Sequence, residues 1–322
     1  MPELTINLRH IEHNTRIMTQ FCEARGMTLV AITKAFSAIP QLVQAMLNGG
    51  APILGDSRIQ NIRRMRGFDA PIQLIRTPLM SQVEETVQSV DLSLNVNLDV
   101  IRALGQASQG RPHQVILMME LGDNREGIPP EDLIHVAQQV TQIDGVELAG
   151  IGGSLGCRYT IYPQLEQIQR LATMFNAVQS ALGRTLPICS LGGTVTIPLM
   201  RQDAFPPEIN QFRVGEALLL GEDAAGEQPI PHMRQDAFRV SAEVIETHAE
   251  KVILALGYQD ISGENLIPLT EGVLKVDGWT SDHMILRVDR PFKVGQKVDF
   301  LPRYNGLVQL FTSPYVNRIY TY

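Results

Sequence analysis

Short apolar runs punctuate the first two thirds of the chain, and a stretch with helical periodicity follows most of them. The runs are TLVAIT (28–33), APILG (51–55), PIQLI (71–75), LSLNV (92–96), QVILMMEL (114–121), VELAGI (146–151), PICSL (187–191) and NQFRVG (210–215). Each is brief and nearly continuous in apolar residues, as a strand buried on both faces must be. Between them lie segments such as PEDLIHVAQQV and PQLEQIQRLATMFNAVQSAL, whose apolar residues recur every three or four positions. Strands alternating with helices pair in parallel through right-handed crossovers. Eight such units predict a closed (β/α)8 TIM-like barrel, an architecture that takes about 250 residues.

Beyond about residue 236 the texture changes. FRVSAEVIE, KVILALG, GVLKVDG, HMILRV and KVDFLP read as short strands separated by turns, with no clear helix. They predict a small all-β C-terminal domain. The expected division is a barrel over 9–236 and a β-domain over 237–322. The run LTINL, within residues 1–8, stands apart from the eight and can join the β-domain. The hexapeptide MRQDAF occurs at 200–205 and again at 233–238, without the further copy that a solenoid would show.

Composition narrows the field. A chain of 322 residues, 44% hydrophobic and 19% charged, has ample material for a core. A net charge of -7 disfavours nucleic acid or an anionic membrane as partner. The basic cluster RIQNIRRMRG, with Arg58, Arg63, Arg64 and Arg66, reads as a solvated helix face. Cys22, Cys157 and Cys189 are scattered, so neither a disulfide framework nor a zinc knuckle is expected. MPELTINLRH has no apolar signal core and no stretch approaches membrane-spanning length, so a reduced, cytoplasmic setting is expected. His10 and His13 share a helix face, but without a third ligand nearby no metal site is expected.

In a (β/α)8 barrel the active site lies at the C-terminal ends of the strands. The first predicted strand ends in Lys34, and the fifth runs into GDNREG, with Arg125. The sixth opens into GIGGSLGCR, with Ser154, and the seventh into LGGTVT, with Thr194 and Thr196. The eighth carries Arg213, then Gly215 and Glu216. Glycine-rich turns let backbone N–H groups approach a phosphate. A lysine kept off water is a good imine-forming amine. Together they suggest a pyridoxal 5'-phosphate Schiff base; a lysine that merely snorkels from a strand end is the plain alternative. GGSLG matches the G-x-S-x-G of a hydrolase elbow, but CRYTIYP intervenes before any helix can start at Pro163. GIGGSLG misses the dinucleotide fingerprint by one place.

Four segments in order, LTINLRHIEHNTRIM, LVAITKA, ELGDNREGI and INQFRVGEALLLG, resemble the alanine racemase N-terminal barrel family, closest in its alanine/ornithine racemase-like branch. VILALGYQD, WTSDHMILRV and YNGLVQLFTSPYVNRIY resemble that family's β-domain. The resemblance implies an amino-acid racemase that uses two bases, Lys34 and Tyr258, with Asp282 as an active-site acid. Lys34 would hold pyridoxal 5'-phosphate, Arg125 would sit at its ring oxygen and Arg213 at its ring nitrogen. Gly215 and Glu216 would offer backbone N–H groups to the phosphate, joined by Thr194 or Thr196 and by Tyr304. It also implies a head-to-tail homodimer whose sites combine one chain's barrel with the other's β-domain. Tyr258 can alternatively be a strand-end aromatic of the β-domain core. A decarboxylase of the same plan would want a cysteine in the β-domain, and none lies beyond residue 189. Non-catalytic pyridoxal phosphate-binding relatives resemble the barrel alone. Two departures stand out: Ala38 replaces a tyrosine, and GGSLG stands where a histidine stacks on the cofactor. Both would open room for a side chain larger than alanine's, and ornithine- or lysine-type substrates are expected beside alanine.

Overall fold

The structure, a computed structural model, describes residues 1–156, 163–202, 205–224, 228–262 and 265–322. It opens with β1 (Glu3–Asn7) and α1 (Leu8–Glu23). Eight strands then close a barrel in chain order: β2 (Thr28–Ile32), β3 (Ile53–Asp56), β4 (Ile72–Leu74), β5 (Leu92–Asn95), β6 (His113–Met119), β7 (Val146–Ser154), β8 (Ile188–Gly192) and β9 (Gln211–Val214). β9 pairs with β2 in parallel to complete the ring. These are the eight apolar runs, and the fold class expected from them is the one observed. The helices are α2 (Pro40–Asn48), α3 (Ile59–Met65), α4 (Val83–Ser89), α5 (Leu98–Ala107), α6 (Pro130–Val140), α7 (Leu165–Leu182), α8 (Ile197–Met200) and α9 (Glu216–Leu220).

Local chemistry sets the helix ends. Asn97 caps α5, accepting from the N–H groups of Asp99 and Val100 at 2.8 and 3.2 Å. Pro130 opens α6, with Glu131 and Asp132 in its first turn, where the helix dipole favours acids. Gln164 and Gln167 cap α7 reciprocally, and Gly183, at φ 62°, ends it. Leu92, Leu94, Ile116, Met118 and Ala149 form a small apolar cluster of their own, which strand alternation places inside the barrel. The main core fills the layer between strands and helices and runs on into the β-domain.

That second part comprises β10 (Phe238–Thr247), β11 (Lys251–Leu254), β12 (Leu266–Pro268), β13 (Val273–Trp279), β14 (Met284–Val288), β15 (Lys297–Pro302), α10 (Tyr304–Thr312) and β16 (Asn317–Thr321). The sheet runs β12-β15-β10-β11-β14-β13, and β1 pairs antiparallel with β10 and parallel with β16. α10 corrects the expectation that no helix follows residue 236. Gly306 and the β-branched and aromatic residues around it weaken its helical signal, but Leu307, Leu310 and Phe311 bury one face. Of the repeated hexapeptide, Asp203 and Ala204 of the first copy lie outside the described residues. In the second copy the Arg234 backbone exchanges two hydrogen bonds with Asn14 of α1. Among the described residues no helix is long and apolar enough to cross a membrane.

Candidate active site

The site starts from the turn that follows β2. Lys34–Phe36 forms a single 3₁₀ turn, and Ser37 and Ala38 then adopt φ values of 55° and 51°. Two successive non-glycine residues in the left-handed region cost free energy, and their surroundings must hold them. Thr33, one place earlier, donates its N–H to the Gly55 carbonyl at 2.9 Å and its hydroxyl to Asp56 Oδ2 at 2.6 Å. Asp56 also accepts from Asn61 Nδ2 at 3.0 Å and the Arg58 N–H at 2.9 Å. Burial pushes the Asp56 carboxyl up, and these donors, Thr33 first, hold it down. Arg64, from the basic cluster, donates to the Ser37 carbonyl at 2.7 Å. The Phe36 ring meets Phe311 of α10 edge-on at 6.2 Å, and Phe311 meets Phe238 of β10 at 6.1 Å. The lysine turn is thus braced by β3, α3 and the β-domain.

A cavity of about 460 Å³ opens at the C-terminal mouth of the barrel. Lys34, Arg125, Ser154 and Thr194 line it, as do Arg213, Gly215, Glu216 and Tyr304. Strands far apart in sequence therefore converge on one hollow. Lys34 is exposed within it, not kept off water as the apolar run before it suggests, because β2 ends at Ile32 and the turn lifts the side chain over the rim. Arg213 is 4% exposed. Its Nη2 donates to the Gly153 carbonyl at 2.7 Å and to Ser154 Oγ at 2.9 Å, and its Nη1 donates to Ser190. Ser154 is thus a partner of arginine, and among the described residues the next helix begins at Leu165. Residues 157–162, which include Cys157, lie outside the described residues.

Arg125 pairs with Asp123 at 3.4 Å and Glu126 at 3.3 Å. Burial first, and the nearby Glu222 second, push the Glu216 carboxyl up to about 7, against the pull of Lys34. Thr196 does not line the cavity; its hydroxyl donates to the Gly193 carbonyl at 2.8 Å. Ala38 is fully buried and does not line the cavity. Gly156 and Gly192 do form part of the wall. Sequence reasoning missed Asn265, Arg303 and Asn305, which line the hollow beside Tyr304. Arg303 and Asn305 flank Tyr304 at the start of α10, so the segment RYN carried the signal for those two.

Tyr258 and Asp282 lie elsewhere, at one end of the β-domain. Tyr258 is 61% exposed, and its ring lies 5.9 Å from that of Trp279. Its N–H donates to the Thr280 carbonyl at 3.0 Å, and Asp282 accepts from Gln259 Nε2 at 3.1 Å. His10 pairs with Asp236 at 3.0 Å, and His13 meets the His232 carbonyl at 2.7 Å, so both tie α1 to the chain before β10.

A (β/α)8 barrel joined to an antiparallel β-domain, with a lysine and a buried arginine sharing the barrel mouth, defines a class of enzyme. Residues 6–223 match the family described as alanine racemase, N-terminal domain. The chain is 32% identical to a lysine racemase of Thermotoga maritima, over 99% of this chain and 98% of that protein. It is 28% identical to an ornithine racemase of Acetoanaerobium sticklandii, over 98% and 99%. Among solved structures it resembles an alanine racemase from Bartonella henselae with covalently bound pyridoxal phosphate. The TM-score is 0.78 at 18% identity, covering 99% of each chain. The chain belongs to the alanine racemase N-terminal domain family and is an enzyme of the racemase class.

Proposed function

We propose that this chain is a pyridoxal 5'-phosphate-dependent racemase that interconverts the L and D forms of a basic amino acid, lysine or ornithine. One observation carries the reading: Lys34 and Arg213 meet at a single cavity in a chain alike, end to end, to lysine and ornithine racemases. The lining fits an anionic, aldehyde-bearing cofactor. It offers a primary amine, a buried guanidinium, hydroxyls of Thr194 and Tyr304, and a glycine-rich wall that lets a ring approach the backbone. A Cβ at Gly192 would stand 2.6 Å from Arg213 Nη2, so that wall cannot be thickened.

When bound, the cofactor supplies an electron sink for the charge left at an α-carbon that has lost its proton. Lys34 Nζ would hold the cofactor covalently and, once free of it, would move the α-proton on one face of the substrate. Tyr258 Oη moves it on the other. Since Tyr258 is exposed and outside its own chain's cavity, it serves the cavity of a second chain in a head-to-tail homodimer. Asp282, on the loop beside Tyr258, meets the distal ammonium of the substrate. Arg213 would hold the ring-nitrogen side of the cofactor and, being always charged, would keep a proton off that nitrogen. Arg125 would hold the ring-oxygen side, while Gly215, Glu216, Thr194 and Tyr304 would bind the phosphate.

The reading is tested by loading the protein with pyridoxal 5'-phosphate, reducing it with borohydride and mapping the modified peptide. A visible band that borohydride removes, with the cofactor fixed on Lys34, is expected. The same reducible band in Lys34→Ala would contradict it.

A further inference from the structure

Two rows of residues cross β7, β8 and β9 beside the cavity. In the upper row Ser154, Gly192 and Arg213 stand side by side; in the lower row Gly152, Ser190 and Gln211 do. Residues two apart on a strand share a face, so both rows look the same way. Ser154, Gly192 and Arg213 line the cavity, while Ser190 and Gln211 lie beneath it, at 0% and 4% exposure.

The hydrogen bonds between the rows have a fixed sense. Arg213 Nη1 donates to Ser190 Oγ, because a guanidinium has no acceptor. A hydroxyl has one proton, and Ser190 gives it to Gln211 Oε1 at 2.6 Å. With that proton committed, a lone pair of Ser190 faces Arg213. Gln211 therefore sets the polarity of Ser190, and Ser190 sets the plane of the guanidinium. On the opposite side the Gly153 carbonyl and Ser154 Oγ hold Nη2. Gly192 leaves the space that this plane occupies. An arginine free to turn would lose side-chain entropy on each binding event; here that cost is met on folding.

We propose that Ser190 and Gln211 are positioning residues that lock Arg213 in the one orientation in which its guanidinium meets the ring nitrogen of the bound cofactor. The inference rests on the reading of the cavity as a pyridoxal phosphate site. Neither residue reaches the cofactor, so their influence must pass through Arg213.

The test compares wild type with Ser190→Ala, Ser190→Thr, Gln211→Leu and the double variant Ser190→Ala/Gln211→Leu, each loaded with pyridoxal 5'-phosphate. The readouts are the pH midpoint of the visible band, the cofactor dissociation constant and the melting temperature. Lys34, Glu216, Tyr304, Arg125 and Arg303 share the cavity and are unchanged in every variant. Ser190→Ala and Gln211→Leu should shift the midpoint in the same direction, by about half a unit or more, and weaken cofactor binding about tenfold. The double variant should be little worse than the worse single one, as expected of residues acting in series. Ser190→Thr keeps the hydroxyl, so it should retain the wild-type midpoint. If Ser190→Ala does not fold, the contrast of Gln211→Leu with Ser190→Thr and wild type decides. A midpoint and dissociation constant equal to wild type, with only a lower melting temperature, would overturn the proposal. A wild-type protein with no visible band would instead overturn the reading beneath it.

Discussion

Thr33 spends its hydroxyl on the carboxylate of Asp56, 23 residues further along the chain, at 2.6 Å. That bond ties the residue before Lys34 to the end of β3, and both partners are fully buried. Thr33→Val keeps the shape and removes the donor, leaving a buried carboxyl short of a partner. The expected cost is about 1–3 kcal/mol, read as a lower midpoint in urea unfolding at pH 7; Thr33→Ser should cost less. Equal stability of Thr33→Val and wild type would show that Asp56 does not depend on this bond. Lys34 was legible because a charge ending an apolar run is conspicuous. Its exposure was not, because the pattern cannot show where β2 stops and the turn begins. The Thr33–Asp56 bond was not legible either, since it joins residues close only once β2 and β3 pair.

Among the elements, the joint between β5 and β6 carries a pH dependence. His113, the first residue of β6, meets Ser93 Oγ of β5 at 2.8 Å and is 4% exposed. Burial lowers its pKa from 6.5 to about 4, against a small opposing pull from Asp91. The sign follows from proton counts. Between these two values the unfolded chain holds the proton and the folded chain does not, so stability falls as pH drops from 6.5 towards 4. The loss from this group should reach about 2 kcal/mol at pH 5 relative to pH 7. His113→Gln should remove that increment from the pH dependence of urea unfolding; an unchanged dependence would show that the ring is protonated in the folded state. The strands themselves were plain in the sequence, since period and length separate a short apolar run from a helix. α10 was hidden by its glycine and aromatic residues, although it links Tyr304 at its start to the lysine turn through Phe311 and Phe36.

At the scale of the whole molecule, the barrel carries Lys34 and the β-domain carries Tyr258, and the structure holds them in different places within one chain. If two chains complete each other's sites, Lys34→Ala mixed with Tyr258→Phe after unfolding and refolding should regain activity. Random exchange makes about half of the dimers mixed, each with one intact site of two, so about a quarter of wild-type activity should return. No recovery above either parent would mean that Tyr258 serves its own chain or none. Sequence resemblance implied this division of labour; a single chain's pattern of apolar residues carries no record of a second chain. The most direct measurement is chiral analysis of the amino acid itself. Protein loaded with pyridoxal 5'-phosphate is incubated with L-lysine or L-ornithine, and separately with the D forms. Approach to an equal mixture from both sides, with the total amino acid conserved and no amine released, is the expected result. An unchanged enantiomer, or conversion to a diamine with loss of carbon dioxide, would contradict the assignment.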